Sequence, residues 1–543
     1  MHCFAALILA GSSLAGAPAD VPRWTRYEAA FTSHTGYANP AQEVRLRVEF
    51  RSPSGEVSGA DGFWDGGRTW RVRFSPGETG VWTWTSRAAP ADAGLHNQSG
   101  RFVSVPYTGA NPVFRHGPVR VAASRHHLEL ADGIPFLWLG DTAWNGPVKA
   151  AAGDWDRYLA DRTSKGFNVI QYIATNWRAA PADEQGRTAW KGRERIEIVP
   201  EFFQRMDARV AAINEHGLYA APVLLWVNGT RTLENPGNLP EDQAILLARY
   251  IVARYGAHQL VWLLNGDGNY TGEHAARWKR IGDAVFPDGH PGRISSLHPA
   301  RTWWLPEWYL DKSWFHFSGY QSGHRDGERH LRLLTEGPLT RAWRQQRRVP
   351  SINLEPNYEA HNNRSVGPRV FTDYDVRRAV YWSLLVSPPA GVTYGAHGIW
   401  NWALKPEEPI AHAGTGVSAP WREAMNLPGS AQIRHVKSLF ESFEWWRLRP
   451  AQELLAAQPG ATDPRCHIAA AQADDGTWAL AYLPCGGPIR LRDEAVKRLR
   501  QARWYDPRTG AWRDAQPAAE MTAPGENDWV LHLGRKGKPQ PWP

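Results

Sequence analysis

The period of the hydrophobic pattern changes twice along the chain. Over residues 22–107 it is two: Val44, Leu46, Val48 and Phe50 alternate with polar residues, as do Trp70, Val72 and Phe74. Pro76-Gly77-Glu78-Thr79-Gly80 turns the chain into Val81-Trp82-Thr83-Trp84, and Phe102-Val103-Ser104-Val105 closes the segment. Alternation punctuated by Gly/Pro turns predicts a β-sandwich, assigned to residues 22–110. From about 115 to 448 apolar runs alternate with helical stretches. Eight runs qualify as strands: 136–140, 167–173, 218–226, 260–264, 293–297, 314–320, 350–354 and 391–400. Helical stretches at 155–165, 201–216 and 241–255 end at Gly166, Gly217 and Gly256, each suited to the left-handed position after a helix. Residues 373–386 carry Val376, Val380 and Leu384 at helical spacing, whereas the link 302–312 is short and aromatic, predicting a reduced helix. Eight alternating units predict a (β/α)8 TIM barrel over 115–448. The runner-up, an open doubly wound sheet, would bring a phosphate-binding Gly motif, and none is evident. Residues 451–543 return to strands: 467–472 and 477–484 flank Asp474-Asp475-Gly476 as a hairpin, 503–510 form a strand and turn, and 529–533 a last strand. The predicted fold is a central TIM barrel flanked by N-terminal and C-terminal β-sandwich domains.

A length of 543 residues suits several cores, and 42% hydrophobic content suits packed ones. The net charge of +8 comes from 62 basic against 54 acidic residues, mostly scattered Arg, so the clustered footprint of a nucleic-acid partner is missing. No run reaches the ~18 apolar residues of a membrane span. Residues 4–10 are apolar and Ala15-Gly16-Ala17 offers small residues for cleavage, so 1–17 reads as a secretory signal and the protein as secreted or periplasmic. Of three cysteines, Cys3 would leave with that signal. Cys466 and Cys485 flank the C-terminal hairpin and face each other either as a disulfide or as two buried thiols. The 29 tryptophans are core fillers in the main, but flat indoles also pack on the C–H faces of sugars.

In a TIM barrel, residues at strand C-termini face the active site. Asn265-Gly266-Asp267 ends the fourth candidate strand and Glu355-Pro356-Asn357-Tyr358 the seventh. The two carboxylates are 355 − 267 = 88 residues apart, close to three units of ~30 residues in a ~250-residue barrel. Glycoside hydrolysis needs such a pair, one carboxyl to protonate the leaving oxygen and one to attack carbon or activate water. The alternative makes Asp267 a loop or helix cap and ties Glu355 to an Arg. The other strand ends supply polar groups beside aromatics, suited to a sugar: Asp141 and Trp144, Asn176 and Trp177, His298, Gln321 and His324, His397 and Trp400. Asp141 could equally cap the following helix. His298, His324 and His397 lie on three strands without a short-range pair, favouring hydrogen bonds to sugar over a metal site. No Gly-x-Ser-x-Gly elbow is present, which disfavours a serine hydrolase.

Together the segments Phe136–Trp144, Asn265–Asp267, Gln321–His324, Glu355–Glu359 and Tyr394–Gly398 resemble the apiosidase-like glycoside hydrolases, clan A TIM barrels acting on plant cell-wall and related glycans. The resemblance covers about 115–448. It implies Asp267 as acid/base, Glu355 as nucleophile, no cofactor and an oligosaccharide or polysaccharide substrate. It extends to a preceding β-sandwich and to a following β domain named for collagen binding. Clan A enzymes usually carry Asn-Glu on strand four; here Asn265-Gly266-Asp267 stands instead, and the shorter Asp predicts a wider carboxyl gap. The expected activity is exo-type, retaining cleavage of a sugar from a polysaccharide such as a pectin side chain or hemicellulose. A non-catalytic glycan-binding barrel and a polysaccharide lyase are the rival expectations. Oligomeric state is not legible.

Overall fold

A computed structural model describes residues 20–227, 235–287, 293–365 and 369–534. The signal assigned to 1–17, with Cys3, lies outside them.

At the N-terminus, two sheets enclose one core. Strand Arg45–Arg51 is exposed and buried at alternate residues, placing Leu46, Val48 and Phe50 inside. The segment is tied to the barrel by a charge network. Arg73 on strand Thr69–Phe74 and Arg254 on helix Glu241–Tyr255 both grip Asp207 of helix Pro200–Glu215, through bonds of 2.7–3.0 Å. Arg254 also pairs with Asp65 at 2.9 Å, and Arg73 with Glu28 at 2.7 Å.

Eight parallel strands follow, in one sheet whose order is 5-4-3-2-1-8-7-6. They are Trp138–Thr142, Val169–Ile173, Tyr219–Trp226, Trp262–Gly266, Ser295–His298, Ser318–Tyr320, Ser351–Asn353 and Gly391–Tyr394, numbered one to eight. The two ends of that order meet: His316 N–H donates to Ser295 O at 3.0 Å, and the Ser296 hydroxyl donates to Phe317 O and accepts from Gly319 N–H at 3.2 Å. Two small polar residues thus close the seam as a barrel. Strand one begins later than its apolar run suggests, because Pro135–Phe136 pair instead with Leu128 and Glu129 ahead of the barrel. Strand eight stops at Tyr394, and residues beyond it turn across the mouth. Gly166 and Gly217 adopt the left-handed conformation, with φ of 87° and 77°. Gly256 does not: its φ of −60° continues the right-handed turn, so the expectation fails there. The link between strands five and six holds only the short helix Pro306–Tyr309, as its composition predicts.

The C-terminal six-stranded sheet uses its two faces differently. Ala469, Ala471, Leu480 and Tyr482 join the barrel core, while Ala470, Ala479, Ala481 and Leu483 build a separate core. Strand alternation therefore makes this sheet the outer wall of the barrel helices. Arg377 of helix Asp373–Leu385 holds Asp528 through two bonds of 2.8 and 2.9 Å. Cys466 and Cys485 form a disulfide.

Candidate active site

Strands four and seven bring Asp267 and Glu355 to one cavity of about 290 Å³ at the C-terminal mouth of the barrel. Oxygens of the two carboxylates and a ring nitrogen of His298 all lie within 4.8 Å of one another. Among the described residues Asp267 is the N-cap of no helix, and the basic neighbours of Glu355 are His298 and His324, not an Arg.

Asp267 sits at φ +36°, in the left-handed region a non-glycine residue enters at a cost. The residue before it explains how the strand end is shaped. A Cβ on Gly266 would meet the Trp226 ring at 2.1 Å, so only glycine lets that indole lie against strand four. Gln321, at the end of strand six, donates to Asp267 Oδ1 at 3.3 Å. Asp267 keeps one edge toward the cavity, yet protein atoms enclose it. Burial first, then the charge of Glu355, holds its carboxyl well above the usual carboxylate range, against the pull of Arg178 and Arg301.

Glu355 is enclosed more completely. Burial raises its carboxyl too, and nearby His298 acts in the opposite direction. His324 Nε2 lies 2.9 Å from Glu355 Oε1. Tyr358 N–H donates to the other ring nitrogen, Nδ1, at 3.3 Å, which assigns the hydrogen to Nε2 and makes His324 a donor to the carboxylate. Burial holds His324 down to about 3, so it donates as a neutral ring. His298, fully buried, stands 3.4 Å from Glu355 Oε2. Burial lowers it also.

The walls are aromatic. Trp144 and Trp177 pack on Trp226 with ring centroids 5.2 and 4.8 Å apart, and Tyr358 and Trp400 complete the lining. Several buried polar atoms here make no hydrogen bond within the protein: Trp226 Nε1, both ends of the Asn265 amide, both His298 nitrogens, Glu355 Oε2 and the Tyr358 hydroxyl. Buried polar groups are normally satisfied, so this concentration marks where a polar ligand or water completes the site.

Of the expected site residues, Asp267, Glu355, Trp144, Trp177, Gln321, His324, Tyr358 and Trp400 line the cavity. His298 and Asn265 are buried in the barrel; His298 reaches Glu355, and Asn265 precedes the Gly266-Asp267 strand end. Three expectations need correction. Asp141 points away from the mouth; its carboxylate, fully buried, accepts from Tyr158 at 2.6 Å and pairs with Arg162, both on helix Ala152–Ser164. Asn176 accepts from Ala189 N–H at 2.8 Å and pins the loop after strand two. His397 supports the wall from behind, accepting from Trp400 Nε1 at 3.0 Å and bonding Gly416 O at 2.8 Å. The sequence reading also passed over Trp226, which ends strand three, and the loop residues Arg178, Arg301, Arg325, Arg364, His361 and His412. Arg178, Arg301 and Arg325 each fall within a few residues of an expected strand end, the one signal that could have found them.

The donors Asp267, His298 and Glu355 are of a type that ligates divalent metals.

Residues 122–447 match the model of the apiosidase-like catalytic domain. Residues 20–89 match a domain of unknown function, and 449–534 one provisionally described as a collagen-binding domain of a collagenase. No curated protein matches the chain. Among solved structures, one described as a glycoside hydrolase is 23% identical, covering 78% of this chain and 98% of its own, with a TM-score of 0.66. A glycoside hydrolase family 5 protein from Bacteroides vulgatus is 21% identical over 78% of this chain and 94% of its own, at 0.67. Another Bacteroides vulgatus structure, provisionally assigned as a glycoside hydrolase, is 17% identical over 95% and 99%, at 0.68. At these identities the structural likeness speaks for the fold.

Proposed function

The chain belongs to the apiosidase-like catalytic family, and from that premise we propose that it is a retaining, exo-acting glycoside hydrolase with Asp267 as acid/base and Glu355 as nucleophile. The observation that carries the reading is the pair itself: two carboxylates facing one cavity, their nearest oxygens within 4.8 Å, both raised by burial but only Glu355 with a histidine charge acting against that rise. Retaining enzymes place their carboxyls ~5–5.5 Å apart and inverting ones ~6.5–9.5 Å, so the spacing favours retention despite the shorter Asp.

The environments divide the labour. Asp267, held protonated by burial and by Glu355, protonates the glycosidic oxygen. Glu355, with the neutral His324 donor fixed on Oε1, attacks the anomeric carbon as the leaving oxygen takes the proton. Asp267, now ionised, then deprotonates the water that releases the sugar from Glu355. The small walled cavity supports taking a chain end over gripping the middle of a polymer. The substrate class, a plant cell-wall-type polysaccharide such as a pectin side chain or hemicellulose, rests on the family. Export to the periplasm or medium is supported by the Cys466–Cys485 disulfide and the apolar run at 4–10.

The test is a screen of pectin and hemicellulose fragments with product analysis. Wild type should release a reducing sugar. D267N and E355Q, folded normally, should be slower by several orders of magnitude. Variants that keep the wild-type rate, or an unsaturated product absorbing in the ultraviolet, would overturn the assignment.

A further inference from the structure

Four arginines line the same cavity: Arg178, Arg301, Arg325 and Arg364. Among the described residues, the carboxylates lining it are Asp267 and Glu355 alone. Among the described residues none of the four makes an ion pair. Arg178 Nη2 lies 3.0 Å from His412 Nε2, and Arg364 Nη2 donates to Ala413 O at 3.0 Å. The Nε atoms of Arg178 and Arg325 are buried without any partner. Several buried guanidinium groups elsewhere find carboxylates: Arg73 and Arg254 with Asp207, Arg162 with Asp141, Arg377 with Asp528. Arg209 and Arg293 bond backbone carbonyls instead, those of Ala150 and His258. What sets the mouth apart is that four arginines without an ion pair surround one cavity.

The four charges are held there by the backbone of the strand-end loops. Arg301 lays its stem on Gly323, whose φ is +71°; a Cβ at that position would meet Arg301 Cβ at 3.0 Å. Thr302, at φ +73°, turns the chain immediately after it. Arg364 N–H donates to His324 O at 3.2 Å, joining that loop to the residue that holds the nucleophile. The arginines also feel one another. Burial first lowers Arg178, Asp267 offsets this, and the charge of Arg364 lowers it further. With Asp267 protonated, the cavity carries an excess of positive charge. Like charges in a low-dielectric hollow repel, and the hollow focuses their field on whatever enters. Planar guanidinium forks match carboxylate and sulfate oxygens, to which they bond in pairs.

We propose that the glycan this site accepts is anionic, carrying a carboxylate or sulfate group on the sugar in the cavity or on its neighbour, and that Arg178, Arg301, Arg325 and Arg364 recognise it. The proposal deepens the hydrolase reading and rests on it for the word glycan, but its own evidence is the unpaired charge. It also assigns the arginines a role in specificity, apart from the proton transfers of Asp267 and Glu355.

The experiment is calorimetric binding to full-length D267N, which removes turnover and replaces a protonated carboxyl with a neutral amide. The probes are short oligogalacturonides, their carboxyl-reduced counterparts, and sulfated and unsulfated galacto-oligosaccharides. One anionic set should bind about 10-fold or more tightly than its neutral partner, since a hydrogen bond to a charged group contributes ~1.5–3 kcal/mol. The advantage should shrink with added salt. R301Q and R364Q, each with unchanged melting temperature, should bring the charged and neutral affinities together. Preference for the uronides names carboxylate as the recognised group, and preference for the sulfated set names sulfate. Failure of both anionic sets to exceed their neutral partners overturns the proposal, as does a preference that survives R301Q and R364Q combined. Anion-selective binding by a wild-type protein that cleaves nothing would sink the hydrolase reading and leave this one standing.

Discussion

Replacing His324 by Phe keeps an aromatic ring between Tyr358 and His361, which it contacts at centroid distances of 4.3 Å each, but removes the donor on Glu355. The lost bond spans 2.9 Å and ends on a buried carboxylate. A hydrogen bond to a charged group contributes ~1.5–3 kcal/mol, so if it is needed by the ionised nucleophile, kcat/KM should fall about 10- to 100-fold. The direction of the pH effect follows from which form is stabilised. The donor favours ionised Glu355; without it the protonated form gains, the carboxyl rises, and activity is lost at higher pH on the acid side. His324 cannot itself be the group titrating there, because burial holds it down to about 3. The assay is kcat/KM against pH for wild type, H324F and H324Q, with thermal melting as the folding control. H324Q, able to present an amide N–H, should recover part of the loss. An H324F enzyme with wild-type kcat/KM and an unmoved acid limb would refute the assigned role.

Three further outcomes are expected. G266A should displace Trp226, whose ring would lie 2.1 Å from the new Cβ; overpacking costs ~1–3 kcal/mol, and activity should suffer more than the melting temperature, so wild-type kinetics would contradict the close approach. Asp207 is raised by burial, but the Arg73 and Arg254 hydrogen bonds outweigh this and leave it at about 2 against an ordinary 3.8. A depressed folded value stabilises above the unfolded one, by roughly 2 kcal/mol, and the benefit disappears between about pH 4 and 2. D207N should therefore melt below wild type at neutral pH and approach it in acid; a constant gap would remove the network from the account. Reduction of Cys466–Cys485, which closes a loop of sequence separation 19, should cost roughly 3 kcal/mol, lowering the melting temperature of wild type but not of C466S/C485S.

The barrel was legible because strands such as Val169–Ile173 and Tyr219–Trp226 are largely apolar runs, and fully buried parallel strands need no alternation; strands five to seven, Ser295–His298, Ser318–Tyr320 and Ser351–Asn353, are short and partly polar. The ends of those strands were less so. Phe136 reads as the start of strand one, yet its backbone partner is Leu128, a contact no local pattern specifies. Asp141 illustrates the parity problem. It lies at a strand end, as Asp267 does, but side chains on successive strand residues point to opposite faces, and Asp141 points outward to Arg162. Asp267 escapes that rule because the chain has already turned into the left-handed region behind Gly266. The paired carboxylates could be found because strand counting places them. Of the arginines, Arg178, Arg301 and Arg325 carried only their nearness to strand ends as a signal and Arg364 none, since loop residues take their positions from contacts such as Arg301 on Gly323 and Arg364 on His324, which are distant in sequence.

The central claim is that Glu355 bonds covalently to the sugar while Asp267 first donates and then recovers the proton. Proton NMR of the reaction, recorded before mutarotation on the fragment that wild type cleaves fastest, reads the anomer first released. Two displacements at one carbon predict the configuration of the substrate. An inverted first product would contradict the account, because it requires a water between the carboxyls where the structure brings their oxygens within 4.8 Å.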